Sequence, residues 1–237
     1  MIDLLRQYWQ QYLWGSPEHW TGLVVTVWLT VASVGIGFCL ALPLAVLRTS
    51  NRPWLTSPIW LFTHVFRGTP LYVQLLICYT GLYSLDVVRA TPVLNAFFRD
   101  AFNCTLLAFT LNTAAYTTEI FAGAIKTTSQ GELDAARAFG MAGFTLYRRI
   151  ILPSALRRAL PAYSNEVILM LHATTLASTA TVVDLLKVAR NAASDYYQPF
   201  VAYGLAALLY LAVTLALVWI FRRAERRWLA HLRPVGH

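Results

Sequence analysis

The stretch SQGELDAARAFGMAGFTLYRRIILP, residues 129–153, decides the fold, because it is the longest strongly polar passage between apolar segments. Ser129 followed three residues later by Glu132 is a capping box, which predicts a helix over residues 130–139. Gly140 is suited to ending that helix. One broad face of the helix would carry Leu133, Ala135, Ala136 and Phe139.

The opposite side of this helix would carry Asp134 and Arg137, three residues apart and able to pair. A second short helix with two adjacent arginines is predicted over residues 144–151, and Pro153 suits the first turn of a new long helix. A docking surface and a passive connecting hairpin explain this pattern about equally well, so both interpretations stay open at this point.

The composition is typical of an integral membrane protein. Of the 237 residues, 57% are hydrophobic and 13% are charged, whereas soluble domains carry about 25% charged residues. The apolar residues form long uninterrupted blocks. The net charge of +8 is concentrated at the ends of these blocks, so the basic residues indicate membrane topology and not nucleic-acid binding.

The cysteines and the first residues exclude some protein classes. Cys39, Cys78 and Cys104 all lie in apolar runs, without the spacing of a zinc site and in an odd number that argues against a disulfide framework. Residues 1–20 lack the pattern of a cleaved signal peptide, and their aromatic side chains suit a segment at the membrane interface.

Five membrane spans are predicted, at residues 20–47, 54–85, 101–125, 153–183 and 196–221. The fold class is therefore all-α, a polytopic bundle of five transmembrane helices formed as one unit over residues 1–237. Gly35 and Gly37 in the first span would allow close contact between helices. The second span is interrupted by His64 and by residues 67–70.

The basic residues also predict the orientation. With the C-terminus inside, 13 of the 19 Lys and Arg residues lie on the inner side and five on the outer side, while Arg67 lies within a span. Because inner loops carry the excess of Lys and Arg, the N-terminus is predicted outside and the loop at residues 129–153 inside.

Common catalytic and nucleotide-binding motifs are missing from the sequence. Its two lysines, Lys126 and Lys187, do not belong to a phosphate-binding loop of the form G-x-x-x-x-G-K-(S/T). There is no H-E-x-x-H metal motif and no recognisable nucleophilic triad. We therefore expect no catalytic residues, no metal site and no ATP bound by that route.

Polar residues within the fourth span are candidates for a translocation path: Asn165, Glu166, His172, Thr175 and Thr179. Four of them share a stripe that Glu166 flanks. The alternative is hydrogen bonding that only holds the bundle together. For His172 alone the two interpretations are about equal.

Other ionisable residues suggest structural roles. Glu119 lies near the inner end of the third span, where a structural partner such as Arg67 explains it at least as well as a role in transport or gating. Arg67 itself precedes Gly68 and Pro70, so it is assigned a structural or gating role at a helix distortion. The charges Asp184, Lys187 and Arg190 are most simply a solvated loop outside the fourth span.

The polar stretch at residues 129–153 resembles the EAA loop of permease subunits in ABC-type importers. Asp134-Ala135-Ala136, Gly140, Ile150, Leu152 and Pro153 have the spacing of that loop, with Asp134 in place of the family's Glu. The resemblance extends to RGTPLYVQLL at residues 67–76 and to residues 110–125 and 152–178, which look like the polar amino-acid uptake permeases.

This resemblance implies the fold and the partners. It implies a type I ABC importer permease in the inner membrane of a bacterium, with a periplasmic N-terminus, a cytoplasmic C-terminus and a helix that couples to an ATPase through Asp134, Ala135, Ala136 and Gly140. The implied partners are a homologous second permease, two cytoplasmic ATP-binding subunits, a periplasmic amino-acid-binding protein and membrane lipid. The chain itself would need no cofactor, because the ATPase subunits bind ATP.

Histidine and the basic amino acids lysine, arginine and ornithine are the substrates that the resemblance favours, and Glu166 could attract their positive charge. Whether this chain or the second permease contacts the substrate stays open, as does the choice between homodimer and heterodimer. A stand-alone secondary transporter would need coupling-ion sites and usually internal repeats. An integral membrane enzyme would need a convergent catalytic set, and none is evident in the sequence.

Overall fold

A computed structural model describes residues 2–15 and 19–229, and in this part of the chain the secondary structure is helical. The α-helices are α1 Ile2–Leu13, α2 Gly22–Arg48, α3 Pro53–Gly68, α4 Leu71–Leu76, α5 Asp86–Ala90, α6 Pro92–Phe98, α7 Ala101–Lys126, α8 Gln130–Ala138, α9 Gly143–Leu146, α10 Leu152–Ala173, α11 Leu185–Tyr196 and α12 Pro199–Trp228. The predicted all-α fold is confirmed.

Helices α2 and α12 are long and apolar. In the described part of the chain they are the two helices that are long and apolar enough to cross a membrane by length and composition alone. Helix α12 is largely exposed along its apolar part, with Leu208, Leu215 and Trp219 each more than half accessible. Such a surface needs lipid or another apolar chain against it.

Helix α7 lies at the centre of the bundle. It packs against α2, α3, α4 and α10 and is rich in buried threonine and alanine. Two of these buried hydroxyls bond within the helix, those of Thr105 to the Ala101 carbonyl and of Thr118 to the Ala114 carbonyl, both at 2.7 Å. Gly37 of α2 lies so close to Thr113 that a β-carbon at residue 37 would meet the Thr113 methyl at 2.5 Å, whereas Gly35 faces open space.

The predicted second span is broken in two. Helix α3 ends at Gly68, Thr69 and Pro70 are extended, and α4 continues through a π-helical turn at Ile77–Gly81 and a 3₁₀ turn at Leu82–Ser84. Pro70 cannot donate a helical hydrogen bond, which explains the break at that point. The interruption predicted at residues 67–70 is confirmed.

The predicted fourth and fifth spans have different boundaries in the structure. Helix α10 gives way to a 3₁₀ helix at Thr174–Ala180, which ends at Thr181 with a φ of 65°. Helix α12 begins at Pro199 and continues to Trp228.

The predicted solvated loop around Asp184 was wrong. Leu185–Tyr196 is the helix α11, and Asp184 is fully buried at its N-terminus, where its Oδ1 accepts a hydrogen bond from the Lys187 backbone at 2.9 Å. The apolar face of α11 packs on α1 and α12, and Tyr12 of α1 donates a hydrogen bond to the Ala202 carbonyl at 2.9 Å. This packing buries Asp184 and the apolar face of α11, while Lys187 is half-buried and Arg190 is exposed.

Candidate functional site

The N-terminus of α8 is capped as the sequence predicts, but through one half of the capping box. The Ser129 hydroxyl accepts a hydrogen bond from the Glu132 backbone at 3.2 Å. The Glu132 carboxylate does not return to Ser129 and accepts instead from the Ser154 hydroxyl of α10, at 3.1 Å. Thus the side chain of Glu132 joins α8 to α10.

The C-terminus of α8 ends in a Schellman motif. Gly140 has a φ of +77° and donates its backbone N–H to the Arg137 carbonyl at 2.9 Å. The next N–H, from Met141, bonds the Ala136 carbonyl at 3.0 Å. These two hydrogen bonds satisfy carbonyls that the end of the helix leaves free, and the positive φ explains the glycine.

The faces of α8 differ in what they contact. Ala136 is 4% exposed and packs in an apolar cluster with the end of α7 and the start of α10. Ala135 is exposed, and Phe139 is 84% exposed although it lies on the same predicted face. Asp134 and Arg137 form the predicted pair at 3.4 Å, with both side chains exposed.

Exposed aromatic side chains give the loop a surface suited to a partner. Phe139 is joined by Phe144, which is 78% exposed. Beside them, a cavity of about 410 Å³ lies between α8 and the start of α10, with Ala135 and Ile150 in its wall. Two phenyl rings that project from a short polar loop favour a docking surface over a passive hairpin.

The helical run predicted at residues 144–151 is confirmed, but it is continuous with α10 and not a separate helix. Helix α9 is a single turn, and a π-helical turn at Tyr147–Ile151 carries it into α10 without a break. The wider π turn comes immediately before Pro153, whose ring and missing N–H do not fit a regular helix interior. The loop is therefore joined stiffly to the long helix that follows it.

The predicted polar stripe on α10 is divided between two environments. Glu166 is 7% exposed and lies near Thr113 of α7, inside the bundle. His172 is exposed, and its Nε2 lies 3.2 Å from the Thr214 hydroxyl of α12. Asn165 and Thr179 are exposed as well.

Thr175 is half-buried, and its hydroxyl donates a hydrogen bond to the His172 carbonyl three residues earlier, at 2.8 Å. Within this chain, Glu166 is thus set apart from the other four residues of the predicted path.

A polar cradle holds the break between α3 and α4, and sequence reasoning missed it. Gln74 donates hydrogen bonds to the carbonyls of Phe66 and Thr69, at 2.8 and 3.0 Å. Asn112 of α7 donates to the Phe66 carbonyl at 3.2 Å and to the Gln74 side chain at 3.1 Å. Amides within apolar runs, close to a Gly and a Pro, were the signal that could have found it.

Arg67 lies at the same break. Its guanidinium is 5.3 Å from the centre of the Tyr116 ring, and the Tyr116 hydroxyl donates to the Arg67 carbonyl at 3.3 Å. The side chain therefore stacks on α7 by a cation–π contact.

Glu119 has a different partner from the one predicted. Its carboxylate lies 3.0 Å from Arg48 Nε at the end of α2, and it accepts a hydrogen bond from the Thr63 hydroxyl of α3 at 2.7 Å. The suggested pair with Arg67 was wrong, since Arg67 is held on Tyr116. Glu119 thus fastens α2, α3 and α7 together.

Comparisons with known proteins agree with this geometry. The profile of a family described as "binding-protein-dependent transport system inner membrane component" matches residues 17–229. The histidine/lysine/arginine/ornithine transport system permease protein HisM of Escherichia coli is 59% identical over 234 residues, covering 99% of this chain and 98% of that protein. The HisM protein of Salmonella typhimurium is 60% identical over 232 residues, covering 98% and 99%.

More distant relatives share the same architecture. The octopine transport system permease protein OccM of Rhizobium meliloti is 41% identical, covering 86% of this chain and 83% of that protein. A crystal structure of an amino acid ABC transporter with histidines matches with a TM-score of 0.75 and 32% identity, covering 87% of this chain and 92% of that chain. An inward-facing MetNI methionine ABC transporter matches in fold, with a TM-score of 0.72 at 17% identity, covering 87% and 94%.

Proposed function

Because this chain belongs to the family of binding-protein-dependent transport system inner membrane components, the permeases of ABC importers, we propose that the amino acids it imports are histidine, lysine, arginine and ornithine. The close relatives named for these four amino acids cover nearly the whole chain. The carboxyl of Glu166 lies inside the bundle, where its ionised form would attract a cationic substrate.

The main support for the coupling mechanism is the exposed surface of the loop around α8. It presents two exposed phenyl rings on a short capped helix that is fastened to the bundle. In this proposal α8 docks on a cytoplasmic ATPase through Asp134, Ala135 and Ala136, with Gly140 ending the helix. ATP binding and hydrolysis in the ATPase then move the loop, and the permease alternates between two accessible states.

The remaining subunits follow from the same proposal. A homologous second permease pairs with this chain, two ATP-binding subunits dock on the two loops, and a periplasmic protein delivers the amino acid. The permease itself is non-catalytic and binds no nucleotide. The long exposed apolar surface of α12 supports contact with lipid or with the second permease.

Orientation is part of the proposal. The excess of Lys and Arg on one side supports a periplasmic N-terminus, with the α8 loop and the C-terminus in the cytoplasm.

Site-specific crosslinking tests the docking surface. In a background with Cys39 replaced, a cysteine at the exposed position Ala135 should crosslink to a co-expressed ATPase. A cysteine at Val87, which is 72% exposed and is predicted on the outer side, is the control and should not. Absence of crosslinks at Ala135 in an intact complex would overturn the assignment of α8.

Uptake assays test the substrate and the path. The purified transporter in proteoliposomes should take up histidine and arginine only with ATP inside and with the loaded binding protein outside. Uptake by this chain alone, driven by a proton or sodium gradient, would favour the alternative of a secondary transporter. The variant Glu166→Gln should reduce arginine uptake more than histidine uptake, and unchanged uptake of both would remove Glu166 from the path.

A further inference from the structure

The α8 loop is joined to the membrane helices by a series of side-chain hydrogen bonds. The Ser154 hydroxyl of α10 donates to the Glu132 carboxylate of α8 at 3.1 Å and accepts a hydrogen bond from the Arg158 guanidinium one turn further along α10. A single hydroxyl therefore stands between a carboxylate and a guanidinium. We call these three residues the Ser154 relay.

Arg158 extends the relay to the end of α7. Its second guanidinium nitrogen donates to the Ala124 carbonyl at 3.0 Å and to the Thr128 hydroxyl at 2.9 Å. Ala124 supplies one of the last four carbonyls of α7, which have no partner within the helix. A cation at this position also opposes the negative end of the helix dipole. Arg158 thus fixes the end of α7 to α10.

The relay gives α8 a directed link to two long helices. Apart from it, α8 meets the bundle through Ala136 and the apolar cluster around that residue. Apolar contacts are not directional and allow sliding, whereas hydrogen bonds are directional and restrict geometry. Besides the backbone connections, a displacement of α8 would therefore reach α7 and α10 through Glu132, Ser154 and Arg158.

We propose that the Ser154 relay transmits the movement of the docked loop to α7 and α10, with Ser154 as its positioning residue. This inference rests on the proposed docking of α8 on an ATPase. Glu132 and Ser154 also line the cavity beside Ala135, so docking has to be measured separately from transport, by co-purification of the ATPase.

The test compares transport with ATP hydrolysis in the complete transporter, reconstituted in proteoliposomes with the histidine-loaded binding protein. Ser154→Ala removes the hydroxyl at the centre of the relay, and Ser154→Thr keeps it. Ser164→Ala is the matched control on the same helix, because the Ser164 hydroxyl bonds only the Pro161 carbonyl one turn away, at 2.8 Å.

The expected result is a change in coupling without a loss of assembly. In Ser154→Ala, the histidine taken up per ATP hydrolysed should fall about fivefold or more, the effect of a lost coupling contact, while the ATPase still co-purifies. Ser154→Thr and Ser164→Ala should keep the wild-type ratio. A wild-type ratio in Ser154→Ala would overturn the relay and leave the apolar cluster and the backbone connections as the links.

A second pair of variants keeps the relay testable if Ser154→Ala does not assemble. Glu132 is exposed, so Glu132→Ala should be tolerated, and it removes the acceptor that Glu132→Gln preserves. Glu132→Ala should lower the uptake per ATP, and Glu132→Gln should not. Equal ratios in both variants would contradict the relay. If instead Ala135→Cys gives no crosslink in a complex whose relay is intact, the proposed docking fails, which is a different outcome.

Discussion

The close contact of α2 with α7 makes a sharp prediction for Gly37→Ala. An added β-carbon would lie 2.5 Å from the Thr113 methyl, 3.3 Å from the Ala114 nitrogen and 3.4 Å from the Thr110 carbonyl oxygen. Carbon atoms prefer a separation of about 3.5–4.0 Å, so the methyl contact is about 1 Å too short. The two helices would have to separate, or Thr113 would have to change its rotamer.

The expected magnitude comes from comparing Gly37→Ala with Gly35→Ala. Both substitutions gain helix propensity, which is worth up to about 1 kcal/mol. Nothing lies within 4 Å of a β-carbon at residue 35, so only Gly37→Ala suffers overpacking, which costs about 1–3 kcal/mol. For a chain of this size, the difference corresponds to a melting temperature lower by roughly 2–12 °C in Gly37→Ala than in Gly35→Ala.

Thermal unfolding of the purified complex in detergent measures this difference, with each variant followed by size-exclusion chromatography after heating. Thr113→Ser removes the methyl and keeps the hydroxyl, so the double variant Gly37→Ala/Thr113→Ser should recover most of the lost stability. Such recovery is the coupling expected of residues in contact. Equal melting temperatures for Gly35→Ala and Gly37→Ala would refute the close packing of α2 on α7.

Three further perturbations test other contacts. Burial raises the pKa of Asp184 from 3.8 to about 6, so the folded state binds this proton more tightly than the unfolded state does. The free energy of unfolding should therefore fall as the pH rises from about 4 to about 6. Asp184→Asn should remove this fall, of up to roughly 3 kcal/mol, in melting curves recorded between pH 4.5 and 8. Glu119→Gln should lower the free energy of unfolding by about 1–3 kcal/mol, because the partly buried Arg48 loses its counter-charge, and Arg48→Met in that background should restore part of the loss in the same thermal assay. Asn112→Ala should cost about 1–3 kcal/mol, because the buried side-chain oxygen of Gln74 loses its donor, and hydrogen exchange should rise in residues 66–76 but not in α12.

The sequence predicted local features well at positions where the chemistry of a single residue determines the local backbone structure. Ser129 caps α8, and Gly140 ends it with a positive φ, as their chemistry requires. The break at residues 67–70 could be predicted for the same reason, because proline cannot donate a backbone hydrogen bond. The reach of the Glu132 side chain could not be predicted, because it depends on where α10 passes.

The error at Asp184 came from giving charges more weight than periodicity. Three charges spaced three residues apart suggested a solvated loop, yet the residues between them repeat as an apolar face of Leu185, Val188, Ala189 and Ala192. That spacing is typical of an amphipathic helix. One of the two helices that bury this face, α1, is more than 170 residues away in the chain, and no local pattern reveals such a partner. The partner of Glu119 was missed for the same reason, because Arg48 is 71 residues distant.

Helix α7 connects the two polar assemblies of the molecule. At Asn112 it holds the broken backbone between α3 and α4, and at Ala124 its end is held by Arg158 of the Ser154 relay. These two positions are twelve residues apart on an unbroken helix, which corresponds to about 18 Å along its axis. At both sites a side chain from a neighbouring helix donates a hydrogen bond to a carbonyl at a helix end, that of Phe66 or that of Ala124. Because these carbonyls are satisfied, α7 can move as a rigid body without unwinding. A displacement received at the relay would then reach the helix break directly, and the break is where the backbone of the bundle is least regular.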